Sequence, residues 1–301
     1  MEYMVSSIGF DRSADLVNVT AEIIVTDSSG SESAAEAKSF SASGSTADGA
    51  LYSLSASLSK GLMLNHCGLL VLGQTLTQED ISEIFEICLK NKDITQAIRI
   101  VAAEAAEELL SLKPTSQIAL GYEISKLLEQ SSEYTGTEYK NRFYEIEARR
   151  EGKASYYALP LFKAEEELAR LDGLRLYSYD KQVEDLKNDE VFLYSLMSDS
   201  FRSGRVQAEN KSFFASREKI RYTFSYEKEK LYVRVAITLD TDDEGLKLIN
   251  SQLKSEKIIK TDVYGIADRI SKKEPLIWQG IKDDYKTVFK NAQVVFEGIK
   301  G

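Results

Sequence analysis

Apolar and polar residues alternate over residues 17–25, which read Val-Asn-Val-Thr-Ala-Glu-Ile-Ile-Val. A period of two is typical of a strand with one buried face. A short apolar run at residues 5–10 precedes it, and the polar stretch 11–15 separates the two runs. The pattern therefore predicts a β-hairpin near the start of the chain. Residues 27–49 are rich in Ser, Gly, Ala and Asp, and that composition predicts a mobile loop.

Apolar runs with helical and strand-like spacing alternate between residues 51 and 112. The predicted elements are helices at 51–62, from 77 onward and at 104–112, and strands at 68–72 and 97–102. Thr77 is a suitable N-cap for the second of these helices. Its inward face is predicted to carry Ile81, Ile84, Phe85 and Cys88. The third helix has to end before Pro114. Strands that alternate with helices predict a sheet covered by helices.

The middle of the chain is less regular. It predicts helices at 116–130 and 188–197, short strands at 143–148 and 155–162, and polar boundary stretches at 131–137 and 198–205.

The last third of the chain predicts an antiparallel sheet followed by helices. Alternation is clearest over residues 231–239, and residues 222–226 provide a partner strand across a turn at 227–230. A helix is predicted at 242–254 and a last strand at 292–299. Between them, apolar residues recur at helical intervals from Ile266 to Ile281. A break at 272–274 is expected, because Pro275 is suited to the first turn of a new helix.

These elements predict an α+β, multidomain protein whose mixed β-sheets are each flanked by helices. The predicted domains are an N-terminal α/β domain at 1–115, a middle α+β domain at 116–200, and a C-terminal domain of antiparallel sheet plus helices at 201–301.

Composition and charge limit the kinds of partner that the chain can have and the kinds of protein that it can be. A hydrophobic fraction of 43% and a charged fraction of 29% are ordinary for a globular chain. The net charge of −10 disfavours nucleic acid or anionic lipid as a partner, unless charge is locally segregated. No apolar run approaches the roughly 20 residues that span a bilayer. Cys67 and Cys88 are too few for a disulfide framework, and we expect them to be buried free thiols.

The candidate chemistry is sparse. His66 is the only His in the chain, so a Ser-His-Asp triad or a Cys-His catalytic pair would have to use it. We expect His66 to be a buried, hydrogen-bonded structural residue. Carboxylate runs such as Glu165-Glu-Glu167 are typical of solvated surfaces, and no phosphate-binding glycine loop is present. We therefore expect no catalytic residue, no metal ligand and no cofactor site.

A series of short motifs resembles the Ger(x)C family, the lipoprotein C subunits of spore germination receptors. The first strand carries Ile8-Gly-Phe-Asp11, and a later strand is entered through Asn65-His66. Ala158-Leu-Pro-Leu161 and the segment beginning at Gly173 follow in the family's order. The C-terminal stretch carries the family's Asp-x-Tyr-Gly step and, after the basic pair Lys272-Lys273 and Glu274, its Pro-x-x-Trp step. The residues matched to these motifs, as structural or interface positions, are Gly9, Asp11, His66, Pro160, Gly173, Asp262, Tyr264, Gly265, Pro275 and Trp278.

The resemblance implies a non-catalytic subunit that binds and scaffolds at the outer face of the spore inner membrane. It implies two membrane-embedded receptor subunits as partners and membrane attachment through an N-terminal lipid anchor. From the net charge, we expect no nucleic acid as a partner. Family members begin with a lipid-modified Cys followed by Trp. We therefore expect the native precursor to carry an apolar signal segment and a Cys shortly before Glu2. The chain departs from the family pattern in two places. Tyr285 occupies the position of a second Trp in the family, and the middle region is shorter than is usual in the family.

Alternatives stay open at the level of the sequence. A small hydrolase with an unrecognised site would show a deep pocket with converging titratable groups. A soluble ligand-binding protein could share the same α/β layering. For Trp278, the two alternatives are a core residue of the C-terminal domain and an exposed anchor for a partner.

Overall fold

The computed structural model describes residues 3–25, 36–115, 119–152, 155–187, 189–198, 200–208, 211–242, 245, 247, 269–283, 288 and 293–300. The strands are β1 Tyr3–Ser13, β2 Leu16–Val25, β3 Glu36–Gly44, β4 Leu62–Met63, β5 Leu69–Gly73, β6 Arg99–Ala103, β7 Tyr156–Glu165, β8 Leu168–Ser178, β9 Lys181–Leu186, β10 Ser203–Ala208, β11 Lys211–Glu227, β12 Lys230–Thr241 and β13 Gln293–Lys300. The helices are α1 Ala47–Ser57, α2 Gln78–Lys90, α3 Ala106–Leu110, α4 Leu120–Thr135, α5 Phe143–Arg150, α6 Asp189–Met197 and α7 Pro275–Ile281.

The contacts divide the chain into two compact units. The first consists of Met1–Glu129, Lys140–Arg149 and Tyr157–Asp185, and the second of Gln130–Tyr139, Arg150–Tyr156 and Leu186–Gly301. The sequence predicted three domains instead. The difference arises because β7, β8 and β9, which were assigned to a middle domain, hydrogen-bond in one sheet with the N-terminal strands.

The first unit is built on a nine-stranded mixed sheet in the order β3-β2-β1-β5-β6-β7-β8-β9, with β4 paired to β1. β1 pairs antiparallel with β2 and parallel with β5. The parallel series continues through β6 to β7, where Ala102 lies opposite Leu161. The sheet therefore mixes local hairpins with long crossover connections.

Helices cover both faces of this sheet. Ile8, Phe10, Leu70 and Leu72 face a buried apolar cluster that includes Leu54 of α1 and the inward residues of α2. These inward residues are Ile81, Ile84, Phe85 and Cys88, as the sequence predicted. On the opposite face, α3 and α4 lie close to Gly9 and Leu69, respectively. Because both faces of the sheet are covered, every residue of β5 is buried. This explains why β5 is an unbroken apolar run in the sequence.

The second unit contains a four-stranded sheet in the order β10-β11-β12-β13. The predicted antiparallel pairing is present between β10 and β11 and between β11 and β12, whereas β13 pairs with β12 in parallel. Residues 269–273 are helical, and Pro275 begins α7 after a break at Glu274. The predicted second helix and its starting proline are therefore confirmed, and the predicted helix at 242–254 lies mostly outside the described residues.

Two local predictions are wrong. Residues 36–44 were expected in a mobile loop, but they form β3, because nine consecutive residues pair with β2. Residues 143–148 were expected as a strand, but they begin α5. There Phe143 and Ile146 are spaced three apart and both are buried. The ring of Phe143 stacks on Phe85 at 5.5 Å between centroids.

The predicted fold class is confirmed: the protein is α+β and multidomain, with mixed sheets flanked by helices. None of the helices in the described part of the chain combines the length and apolar content that a bilayer crossing requires.

Candidate functional site: the motif positions and the buried polar network

Gly9 lies where α3 approaches β1 most closely. A Cβ at this position would lie 2.9 Å from the Cβ of Ala106 and 2.9 Å from Cδ1 of Leu110. Real Cβ atoms do not tolerate such distances without a shift of their neighbours. The glycine of the Ile8-Gly-Phe-Asp motif therefore allows a helix to pack directly on the strand.

Asp11 holds the start of the same helix. Its carboxylate accepts hydrogen bonds from the backbone nitrogens of Ala106, at 2.9 Å, and Glu107, at 2.8 Å. These N–H groups have no partner within the helix, so the carboxylate acts as an N-cap supplied by a distant strand. Burial raises the pKa of Asp11 above its ordinary value, and the two backbone donors oppose part of that rise. Gly9 and Asp11 thus serve one junction, between β1 and α3.

Arg12, the next residue, binds the N-terminal end of α2. Its Nε lies 2.6 Å from Oδ2 of Asp80 and its Nη2 lies 2.5 Å from Oδ1. Asp80 also completes a capping box with Thr77. Burial disfavours the charged form of Asp80, but the bonds from Arg12 and Thr77 outweigh it and hold its pKa below the ordinary value. The sequence predicted Thr77 as a cap and missed Arg12, which is 68 residues away from Asp80.

Glu22 is a buried carboxylate that the sequence did not single out. The hydroxyls of Ser6 and Ser7 donate to its Oε2 at 2.6 and 2.8 Å. The backbone nitrogen of Leu120, the first residue of α4, donates to its Oε1 at 2.6 Å. A carboxyl group that is only 1% exposed has both oxygens engaged here in hydrogen bonds, one of them with the N-terminal end of a helix. Glu22 therefore joins β1 and β2 to α4.

Arg175 is fully buried in β8 and forms a bidentate pair with Asp185. Its Nε and Nη2 lie 2.7 and 2.9 Å from the carboxylate oxygens, and its Nη1 donates to the carbonyl of Ala103 at 2.8 Å. Burial also raises the pKa of the neighbouring Tyr177. The arrangement connects β6, β8 and β9 across the sheet, in a geometry that a guanidinium satisfies and an ammonium does not.

Gly173 and Pro160 occupy backbone positions that suit their types. Gly173 in β8 has φ of 140°, a conformation that residues with a Cβ rarely adopt. Pro160 is buried in β7 immediately before the pairing of β7 with β6 begins at Leu161. A proline has no N–H to donate to a sheet. Both motif positions therefore have local structural explanations.

The prediction for His66 is wrong. His66 lies in an exposed turn between β4 and β5, beside the exposed Asn65. The apolar Leu64 and Cys67 occupy the buried positions of this turn instead. A turn that presents its polar residues to solvent explains why the single His is outside the core.

The two cysteines are buried free thiols, as predicted. Burial raises the pKa of Cys67 and of Cys88 to about 12, so the reactive thiolate is strongly disfavoured. Among the described residues, no group of three or more His, Cys, Asp and Glu side chains is arranged to hold a metal ion.

The C-terminal motif is partly described. Trp278 is 8% exposed and Ile281 is 1% exposed, and Pro275 begins their helix. In the same unit, Arg269 lies over the ring of Tyr222 at 4.4 Å. Asp262, Tyr264 and Gly265 lie outside the described residues. The motif positions thus form separate structural junctions, with Gly9 and Asp11 together and Pro275 with Trp278 together.

Comparisons with known proteins agree with the motifs. The family model described as "Spore germination protein N-terminal domain" matches residues 2–164, which is more than half of the 301 residues. Spore germination protein GerQC of Bacillus cereus is 25% identical over 198 residues, which cover 64% of this chain and 55% of that protein. The match thus spans about half the length of that relative.

A solved structure shares the whole fold. The protein in "Crystal Structure of the GerBC protein" superposes with a TM-score of 0.58, covering 100% of this chain and 99% of that chain at 14% identity. At this identity the likeness shows the α+β multidomain fold. The family model covers the β1–α3 junction built by Gly9 and Asp11, and its match over more than half of the chain shows that the chain belongs to the spore germination protein N-terminal domain family, the Ger(x)C family of germinant receptor subunits.

Proposed function

We propose that this chain is a non-catalytic subunit of a spore germinant receptor, required for nutrient-triggered germination as a binding and scaffolding component. In this proposal it is held by an N-terminal lipid anchor at the outer face of the spore inner membrane. There it assembles with two membrane-embedded receptor subunits.

The observation that carries the non-catalytic role is that the buried and partly buried ionisable groups make their hydrogen bonds within the fold. Asp11, Glu22 and Asp80 each receive hydrogen bonds that hold a helix terminus, and Arg175 ties three strands together. A catalytic acid, base or nucleophile has to reach a substrate. These groups are directed into the fold instead, and their internal bonds support a structural role.

The proposal is tested by gene replacement in the native spore-forming host. Spores without the gene should lose the response to one nutrient germinant, measured by loss of optical density and release of dipicolinate. The native gene and the variant His66→Ala should both restore the response, because His66 lies in an exposed turn. Sporulation yield and heat resistance are the controls and should stay unchanged.

An enzyme would behave differently. If His66→Ala protein accumulated normally but failed to restore germination, and if the native protein hydrolysed a substrate in a His66-dependent manner, the scaffolding proposal would be rejected. Assembly is tested separately: chemical crosslinking in isolated inner membranes should capture two membrane proteins with this chain. Recovery of the chain alone from those membranes contradicts the proposed partners.

A further inference from the structure

The sheet of the second unit has two chemically different faces. Residues directly opposite each other in antiparallel strands share one face. One face is apolar and buried, and it includes Val206, Phe213, Ala215, Leu231, Val233, Val235, Ile237 and Leu239. The partly buried Tyr222 and Phe224 lie opposite Val235 and Val233 and extend that face.

The opposite face carries exposed basic side chains. Arg205 lies opposite Phe214, Thr223 lies opposite Arg234, and Arg221 lies opposite Ala236. A register shift between Arg217 and Lys219 places Lys219 opposite Thr238, on this same side. We define the basic face as Arg205, Lys219, Arg221 and Arg234, all exposed, with Phe214 at one end.

Few acids oppose these charges among the described side chains of the same face. Asp240 lies opposite Ser216, and Glu227 lies opposite Lys230 at the tip of the β11–β12 hairpin, where the two charges offset each other. Among the described side chains, four cations of this face, besides Lys230, therefore stand against Asp240 and, just beyond β12, Asp242. In a chain with a net charge of −10, this is a local segregation of positive charge.

We propose that the basic face docks on an anionic phospholipid surface. From Phe214 to Ser225 the strand advances about 35 Å, at roughly 3.4 Å per residue, so the basic groups are spread along an extended sheet face. Such a face matches a planar layer of phosphate headgroups, which attract each nearby Lys or Arg. Phe214, 61% exposed at one end, is suited to insertion at the headgroup boundary.

The spacing of the aromatic side chains favours lipid over single-stranded nucleic acid. Sheets that bind RNA place aromatic rings close together, so that successive bases can stack on them. On this face, Phe214 lies near one end of β11, and Tyr232 lies opposite Ser225 near the other. The inference goes beyond the proposed function, because it concerns the sheet and does not depend on a lipid anchor.

The test is co-sedimentation of the unlipidated chain with vesicles containing 40 mol% phosphatidylglycerol in phosphatidylcholine. The native chain should bind these vesicles and should not bind pure phosphatidylcholine. The double variant Lys219→Glu/Arg221→Glu should lower the partition coefficient by at least about 30-fold, since each basic group near an anionic leaflet contributes about fivefold. Binding should also weaken between 0.1 and 0.5 M NaCl, because exposed charges are screened by salt.

The matched control is Lys92→Glu/Lys181→Glu. It changes the net charge by the same four units at exposed lysines of the first unit, and it should leave vesicle binding unchanged. Circular dichroism should show native folding in both variants. Equal losses in the two variants, no binding by the native chain, or equal binding to phosphatidylcholine would each overturn the proposal.

Two further outcomes would assign the face to another occupant and also overturn the proposal. One is tighter binding to single-stranded poly-U that is lost in Lys219→Glu/Arg221→Glu. The other is a dimer in lipid-free sedimentation velocity that is lost in the same variant.

Discussion

The carboxylate of Asp11 on β1 accepts a hydrogen bond of 2.9 Å from the backbone nitrogen of Ala106, the first residue of α3 and 95 positions later in the chain. A second bond reaches the nitrogen of Glu107. This long-range cap explains why Asp belongs to the motif: its side chain closes a helix that the local sequence does not cap, since Ala105 precedes it.

We expect Asp11→Ala to lower the free energy of unfolding by about 1–2 kcal/mol, the usual cost of losing an N-cap. Asp11→Asn retains an acceptor oxygen and should cost less. Urea unfolding followed by circular dichroism measures both. Native stability in Asp11→Ala would show that the cap is dispensable.

The pH dependence of Asp11 follows from its raised pKa. The folded chain holds this proton more tightly than the unfolded chain, so the contribution of Asp11 to stability decreases as pH rises from the ordinary Asp value through the folded one. Replacing Asp11 with Asn should remove that part of the slope of stability against pH. An unchanged slope would contradict the assignment.

Asp80 should behave in the opposite way. Its pKa is lowered in the folded chain, so its contribution is present above the ordinary Asp value and is lost as pH falls through the folded value. At pH 7 we expect Asp80→Asn to cost about 1.5–3 kcal/mol, because charge-assisted bonds to Arg12 are lost. The difference from the native chain should shrink on acidification below about pH 4. A constant difference down to pH 2 would exclude the ion pair as its source.

Gly9→Ala should destabilise the first unit by about 1–3 kcal/mol, because its Cβ would meet Ala106 and Leu110 at 2.9 Å. Gly68→Ala is the matched control: its nearest neighbour would be the carbonyl oxygen of Ser6 at 4.0 Å. We expect that change to stay within about 0.5 kcal/mol. Thermal unfolding of the two variants side by side gives the comparison, and equal stabilities would contradict the close packing of α3.

Trp278→Ala should cost about 3–5 kcal/mol, the typical effect of truncating a buried Trp. Leu276 in the same helix is 84% exposed, so Leu276→Ala should change stability by less than about 0.5 kcal/mol. Trp278 is the only Trp in the chain, and its fluorescence should be blue-shifted until the protein unfolds. Native emission already at the wavelength of exposed Trp would support the alternative of an exposed anchor.

Cys67 and Cys88 should resist a thiol reagent such as DTNB at pH 8 in the native protein and should react in 6 M guanidinium chloride. The reason is that burial raises both pKa values to about 12 and excludes the reagent. Fast labelling of either thiol without denaturant would contradict its burial.

Local patterns were sufficient for several elements. Period-two alternation identified the β1–β2 hairpin, Thr77 identified the start of α2, and Pro275 identified the start of α7. In each case the informative pattern lies within a few consecutive residues, so it can be recognised in the sequence. The resemblance to the Ger(x)C family likewise rested on short motifs, and the fold class followed from the order of the elements.

The tertiary structure decided what depends on distant partners. The Ser- and Ala-rich β3 has weak strand propensity, and pairing with β2 makes it a strand. Phe143, in a segment that was predicted to be a strand, lies in a helix and packs against Phe85. The buried bonds of Glu22 and Arg175 join residues from separate elements, and the pairing of β6 with β7 extends the N-terminal sheet into the predicted middle domain. The energy of such a contact depends on which distant segments meet in the folded chain. The local spacing of residues does not show which segments these are.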